Sequence, residues 1–121
     1  MINIQKFKQG LNSNNVLFVE HEVGVGNLSQ INQLIKDKTV STLNVAMAER
    51  EDILDNLDQD KQVIIFDDFH RGLNSTKEMI LSNLDKFNDS IIIFNSDLNE
   101  LDSEYFESEA IKARLTVITK S

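Results

Sequence analysis

The run Val63-Ile64-Ile65-Phe66, followed at once by Asp67-Asp68, limits the fold more than any other feature of this chain. Four consecutive apolar residues leave no polar face for water, so the run predicts a strand covered on both sides, as in parallel sheets flanked by helices. The two carboxylates then fall at the strand's C-terminal end, the edge where open α/β sheets bind ligands. Further strands are predicted at 16–19, 39–45, 91–94 and 115–118, and the stretches between them carry apolar residues at helical spacing. This alternation predicts helices over 2–11, 27–36, 49–57 and 75–87, and an acidic segment that turns helical near 103. Met79, Ile80, Leu84 and Phe87 supply the apolar stripe of the 75–87 helix.

The length of 121 residues predicts a single domain, 1–121, and no stretch has the composition of a linker or a repeat. With no cysteine, disulfides and zinc-thiolate sites are excluded. The apolar runs are too short for a membrane span and the first residues, Met1 to Lys6, do not form a signal peptide, so a cytoplasmic location is expected. A net charge of −8 disfavours direct binding to nucleic acid or anionic lipid. Six carboxylates and no base lie between Asp97 and Glu109. Such a run is either a solvated helix face or an acidic partner-binding, DNA-mimicking surface.

After the first predicted strand the chain reads Glu20-His21-Glu22-Val23-Gly24-Val25-Gly26-Asn27-Leu28 and runs into a helix. A working phosphate loop needs glycines whose N–H groups wrap phosphate, a lysine for the outer oxygens and a Ser or Thr for Mg²⁺. Aligned on Gly26, those last two positions hold Asn27 and Leu28, and Glu20 and Glu22 put negative charge where phosphate would sit. The pattern suits a tight strand-to-helix turn without ligand better than a nucleotide site.

Four segments in order, Gly24-Val25-Gly26, Ile64 to Arg71, Ile92-Ile93-Phe94-Asn95-Ser96 and Glu109 to Leu115, resemble the core of an AAA+ ATPase. Thr42 to Ala46 with Glu51 to Leu54 is similar to the corresponding stretch of MoxR-like members, and a clamp-loader-like relation fits equally. The resemblance implies a three-layer α/β sandwich with a five-stranded parallel sheet in the order 5-1-4-3-2. It assigns Gly24 and Gly26 to Walker A, Asp67 and Asp68 to Walker B, Asn95 to the sensor position, and Arg114 to an arginine that reaches a neighbouring subunit's nucleotide. Walker A is degenerate, the Walker B glutamate is an aspartate, and the chain ends where the family's lid would begin, so these positions are expected to be relics without cofactor.

For each residue a plainer role competes. Asp67 and Asp68 are expected to cap the helix starting near Ser75 or to accept hydrogen bonds from loop amides. Their like-charge crowding predicts that Asp68→Ala leaves thermal stability unchanged or raises it. Asn95 is expected to end its strand, and Arg114 to pair with Glu104, Glu107 or Glu109. His21 and His70 lie at one edge with the two acids, but a strand separates their loops by roughly 10 Å, so no metal site is expected. The leading function is a non-catalytic adaptor or regulator of another protein, such as an AAA+ ATPase, with Arg114 and the acidic residues Glu104, Glu107 and Glu109 as the partner surface. The alternatives are an acidic inhibitor of a nucleic-acid-binding protein and a weak nucleotide-binding or metal-dependent hydrolase.

Overall fold

The computed structural model describes residues 2–13, 15–20, 27–47, 61–87, 89–97 and 115–118. Five parallel strands, β1 (Val16–Glu20), β2 (Val40–Asn44), β3 (Val63–Asp67), β4 (Ile91–Ser96) and β5 (Leu115–Ile118), form one sheet in the order β2-β3-β4-β1-β5. Read from the other edge this is the expected 5-1-4-3-2. Helices α1 (Ile4–Ser13), α2 (Asn27–Leu34) and α3 (Asn74–Ser82) cover the sheet. The expected helix at 49–57 and the acidic helical segment lie outside the described residues.

Alternation along the strands divides the core in two. Leu17, Val19, Val63, Ile65 and Ile93 pack with Phe7 of α1 and with Ile31 and Ile35 at α2. The opposite face carries Val16, Phe18, Ile64, Phe66, Ile92 and Phe94, covered by Phe69, Ile80, Leu84 and Phe87. These are the two interfaces, one on each face of the sheet, of a helix, sheet, helix sandwich. The in-register residues Phe18, Phe94 and Phe66 lie side by side across β1, β4 and β3. Their rings stack at centroid separations of 5.9 and 5.3 Å, and Phe69 meets Phe94 edge-on at 4.8 Å, geometries that favour the ring quadrupoles.

Asn3 starts α1, its Oδ1 accepting the Lys6 N–H at 3.1 Å, as a helix N-cap does. Gly10 lets that helix lie close to the sheet, since a Cβ there would come within 3.1 Å of Leu17 and 3.3 Å of Thr116. The expected 75–87 helix is interrupted. Asn83 turns its amide back on the Met79 carbonyl at 2.7 Å, and the chain tightens into a 3-10 turn, Leu84–Phe87, that seats both apolar ends in the core. No helix among the described residues is long and apolar enough to cross a membrane.

Candidate functional site

The C-terminal edge of the sheet gathers the polar residues. Parallel pairing aligns Asn44, Asp67 and Asn95 across β2, β3 and β4, and Glu20 with Ser96 across β1 and β4. From that alignment comes a row of side-chain amides. Asn44 Nδ2 donates to Asp68 Oδ2 at 3.3 Å, Asn95 Nδ2 donates to Asp67 Oδ1 at 2.8 Å, and Asn27 Nδ2 reaches Asn95 Oδ1 at 3.4 Å and the Glu20 carbonyl at 2.7 Å. The hydrogen bonds thus span four strands and the first residue of α2.

Asn27 is 3% exposed and Asn95 1% exposed, whereas Asp67 and Asp68 are half-buried. Of the three buried side-chain oxygens without a hydrogen-bond partner among the described residues, two, Asn27 Oδ1 and Ser96 Oγ, lie at this edge, and the third is Thr76 Oγ1 in α3. Buried polar atoms are ordinarily satisfied, so all three are unusual. Neither Asp67 nor Asp68 meets a cation among the described residues; their partners are the two asparagine amides.

Beyond the strand the backbone turns sharply. Asp68 has φ 52° and ψ 40°, the left-handed region that costs a non-glycine residue about 1–2 kcal/mol, and it opens a 3-10 turn at Phe69–Arg71. His70 Nδ1 in that turn accepts the Asp97 N–H at 3.0 Å, tying the end of β3 to the exit of β4. Gly72 follows where a Cβ would lie 2.4 Å from Val45, which leaves no room for any other residue without movement.

Several expectations change here. The acid pair does not cap the helix near Ser75: the N-cap of α3 is Leu73, without a side-chain hydrogen bond, and the acids bind asparagine amides instead. Asn95 does not end its strand, because β4 continues through Ser96 and the side chain crosslinks three elements. Asn44 is a site residue that sequence reasoning passed over; its side chain bridges Asp68 and the Met47 N–H. An asparagine near the C-terminal end of each of the two strands that flank β3 is the signal that was present. Gly24, Gly26, His21, Glu104, Glu107, Glu109 and Arg114 lie outside the described residues. Among the described residues, no three His, Asp or Glu side chains gather to hold a metal.

The sheet order and the polar C-terminal edge define an α/β fold with a five-stranded parallel sheet. The structure is similar to a DNA polymerase III gamma-subunit-related protein of Thermotoga maritima, with a TM-score of 0.62 and 12% sequence identity. The match covers 98% of this chain and 45% of that one, so this chain spans less than half the length of its structural relative. At this identity the likeness is one of fold. No family model and no curated protein matches the sequence.

Proposed function

We propose that this chain is a non-catalytic adaptor or regulator, a pseudo-ATPase with a degenerate Walker A loop that binds another protein, with an AAA+ ATPase as its partner. The observation that carries the reading is Asn27. Where a phosphate loop needs a lysine projecting toward ligand, Asn27 is buried and its amide is committed to the Glu20 carbonyl and Asn95. A neutral, inward-turned side chain supplies no charge to anchor the outer phosphates, and Asp67, Asp68 and Glu20 would repel them. The scaffold kept without its phosphate chemistry supports a role in assembly, where the AAA+-like shape itself is recognised.

The test is affinity capture with the full chain at low and high salt, alongside Mg-ATP calorimetry and a turnover assay. Salt-tolerant capture of an ATPase, with no nucleotide heat and no turnover above an Asp67→Ala control, is the expected result. The acidic inhibitor is a second reading, favoured by the net charge of −8. It predicts capture of a basic target that is lost steeply as salt rises. Turnover above the control would overturn the non-catalytic reading.

A further inference from the structure

We propose that the free edge of β2 is a self-pairing surface, at which the strand adds antiparallel to β2 of a second copy of this chain. This goes beyond the adaptor reading and does not depend on its partner. β2 ends one side of the sheet and has β3 as its only neighbouring strand among the described residues. Val45 donates its N–H to the Asp67 carbonyl at 2.9 Å, and the Thr39 carbonyl accepts the Val63 N–H at 3.0 Å. In a parallel pair alternate residues face the neighbour, so Thr39, Ser41, Leu43 and Val45 are the ones that bond to β3. The N–H and C=O groups of Val40 and Thr42, and the N–H of Asn44, therefore point away from the sheet. They have no hydrogen-bond partner among the described residues.

The strand also lacks the usual guards. Edge strands are ordinarily protected by charged side chains, proline or a bulge. Val40 to Asn44 pairs with β3 in unbroken register and contains neither charge nor proline, and the uncharged stretch runs from Thr39 to Ala48 in a chain of which 26% is charged. Each residue of β2 is half-buried or exposed, whereas β1, β3 and β4 are buried along most of their length. Self-complementarity points to a second copy as the occupant. With Thr42 on a two-fold axis, Thr42 faces its own counterpart and Val40 faces Asn44, so every outward N–H meets an opposing carbonyl. The Asn44 carbonyl, which accepts the Met47 N–H at 3.2 Å, has a second lone pair for this. Opposed threonines are a favourable cross-strand pair. The charges fit the same arrangement. Within five residues of the starts of β2 and β3, Lys36, Lys38 and Lys61 balance Asp37, Asp58 and Asp60; over the same reach their ends carry Glu49, Asp67 and Asp68 against Arg71. Antiparallel pairing sets the acidic end of each copy against the balanced end of the other, where parallel docking would bring the acidic ends together.

The full chain is followed by sedimentation equilibrium over a wide range of concentration at low and high salt, with amide hydrogen exchange alongside. A concentration-dependent dimer is expected, held as well or better at high salt because screening relieves the repulsion between two copies of charge −8. Exchange should slow with concentration at Val40, Thr42 and Asn44 and stay unchanged at Ser41 and Leu43, whose N–H groups already bond to β3. Thr42 is exposed, so Thr42→Lys and Thr42→Glu should each melt with the wild type. Each sets like charges opposite one another at the axis and should weaken the dimer by roughly tenfold or more, while an equimolar mixture of the two should restore it. A wild type that stays monomeric throughout overturns the proposal, as does a dimer that both variants leave intact or a mixture that fails to associate. A monomer whose β2 amides slow only when a captured ATPase is added assigns the edge to a strand of that partner, which removes the second copy and leaves the adaptor.

Discussion

Val63 to Phe66 and the two acids that follow are consecutive in the chain, yet different physics holds them in place. The four apolar residues are fully buried and are placed by packing, which is non-directional and needs only the right size and periodicity. Asp67 and Asp68 are placed by single amide contacts from neighbouring strands and by one unusual backbone conformation. Packing tolerates exchange among similar side chains; a directional hydrogen bond depends on one donor at one register position. Mutation should therefore cost most in the first region through volume and less in the second through connectivity.

The largest effect is expected at Phe94, the ring shared by Phe18, Phe66 and Phe69. Phe94→Ala should destabilise the fold by about 3–5 kcal/mol, the usual range for emptying a large aromatic site, measured by urea denaturation. A loss no greater than that of a surface control would show that the aromatic row does not hold the sheet. Gly72→Ala comes next, near the upper end of the roughly 1–3 kcal/mol typical of overpacking, because its new methyl must displace the buried Val45. A Gly72→Ala protein that melts with the wild type would mean that the β2 exit yields freely.

This contrast also governs what the sequence disclosed. The strands were legible because Val16 to Val19, Val63 to Phe66 and Ile91 to Phe94 are apolar without interruption, and the strand order because Gly24-Val25-Gly26, Asp67-Asp68 and Asn95 stand in the order of a familiar core. Asn95 was legible as a position but not as a crosslink, since the register that sets it between Asp67 and Asn27 is a property of three elements at once. The break at Asn83 was hidden because its side chain competes locally with the helix, while Leu84 and Phe87 keep helical spacing. Gly72 carries no signal of its own in the sequence; only the approach of Val45 gives it a requirement.

Within the polar region, Asn95→Ala should cost about 1–3 kcal/mol, because it strips a partner from buried Asn27 as well as from Asp67. A double-mutant cycle with Asp67→Ala gives the part due to their contact, and a coupling indistinguishable from zero would reduce the row to coincident neighbours. Its value sharpens the comparison directly. Packing losses scale with the volume removed, whereas the Asp67 share of this one should vanish once that acceptor is already gone, leaving only the share due to Asn27.

The smallest and most discriminating expectation concerns Asp68, where two effects oppose. Like-charge crowding with Asp67 favours removing the acid, but φ 52° penalises any replacement with a Cβ and no compensating contact, and Asn44 loses its acceptor. Asp68→Ala is therefore expected to lower stability by about 0.5–2 kcal/mol rather than to leave it unchanged or raise it, with the backbone and hydrogen-bond losses outweighing charge relief. Asp68→Gly removes the same carboxylate while adopting the left-handed conformation freely, so it should recover about 0.5–1 kcal/mol of that loss even after its own entropic cost. Thermal melts of the two variants under identical conditions measure the difference. If alanine equals or exceeds glycine, the strained backbone is not what opposes charge relief at this corner, and the hydrogen bond to Asn44 alone must set the balance.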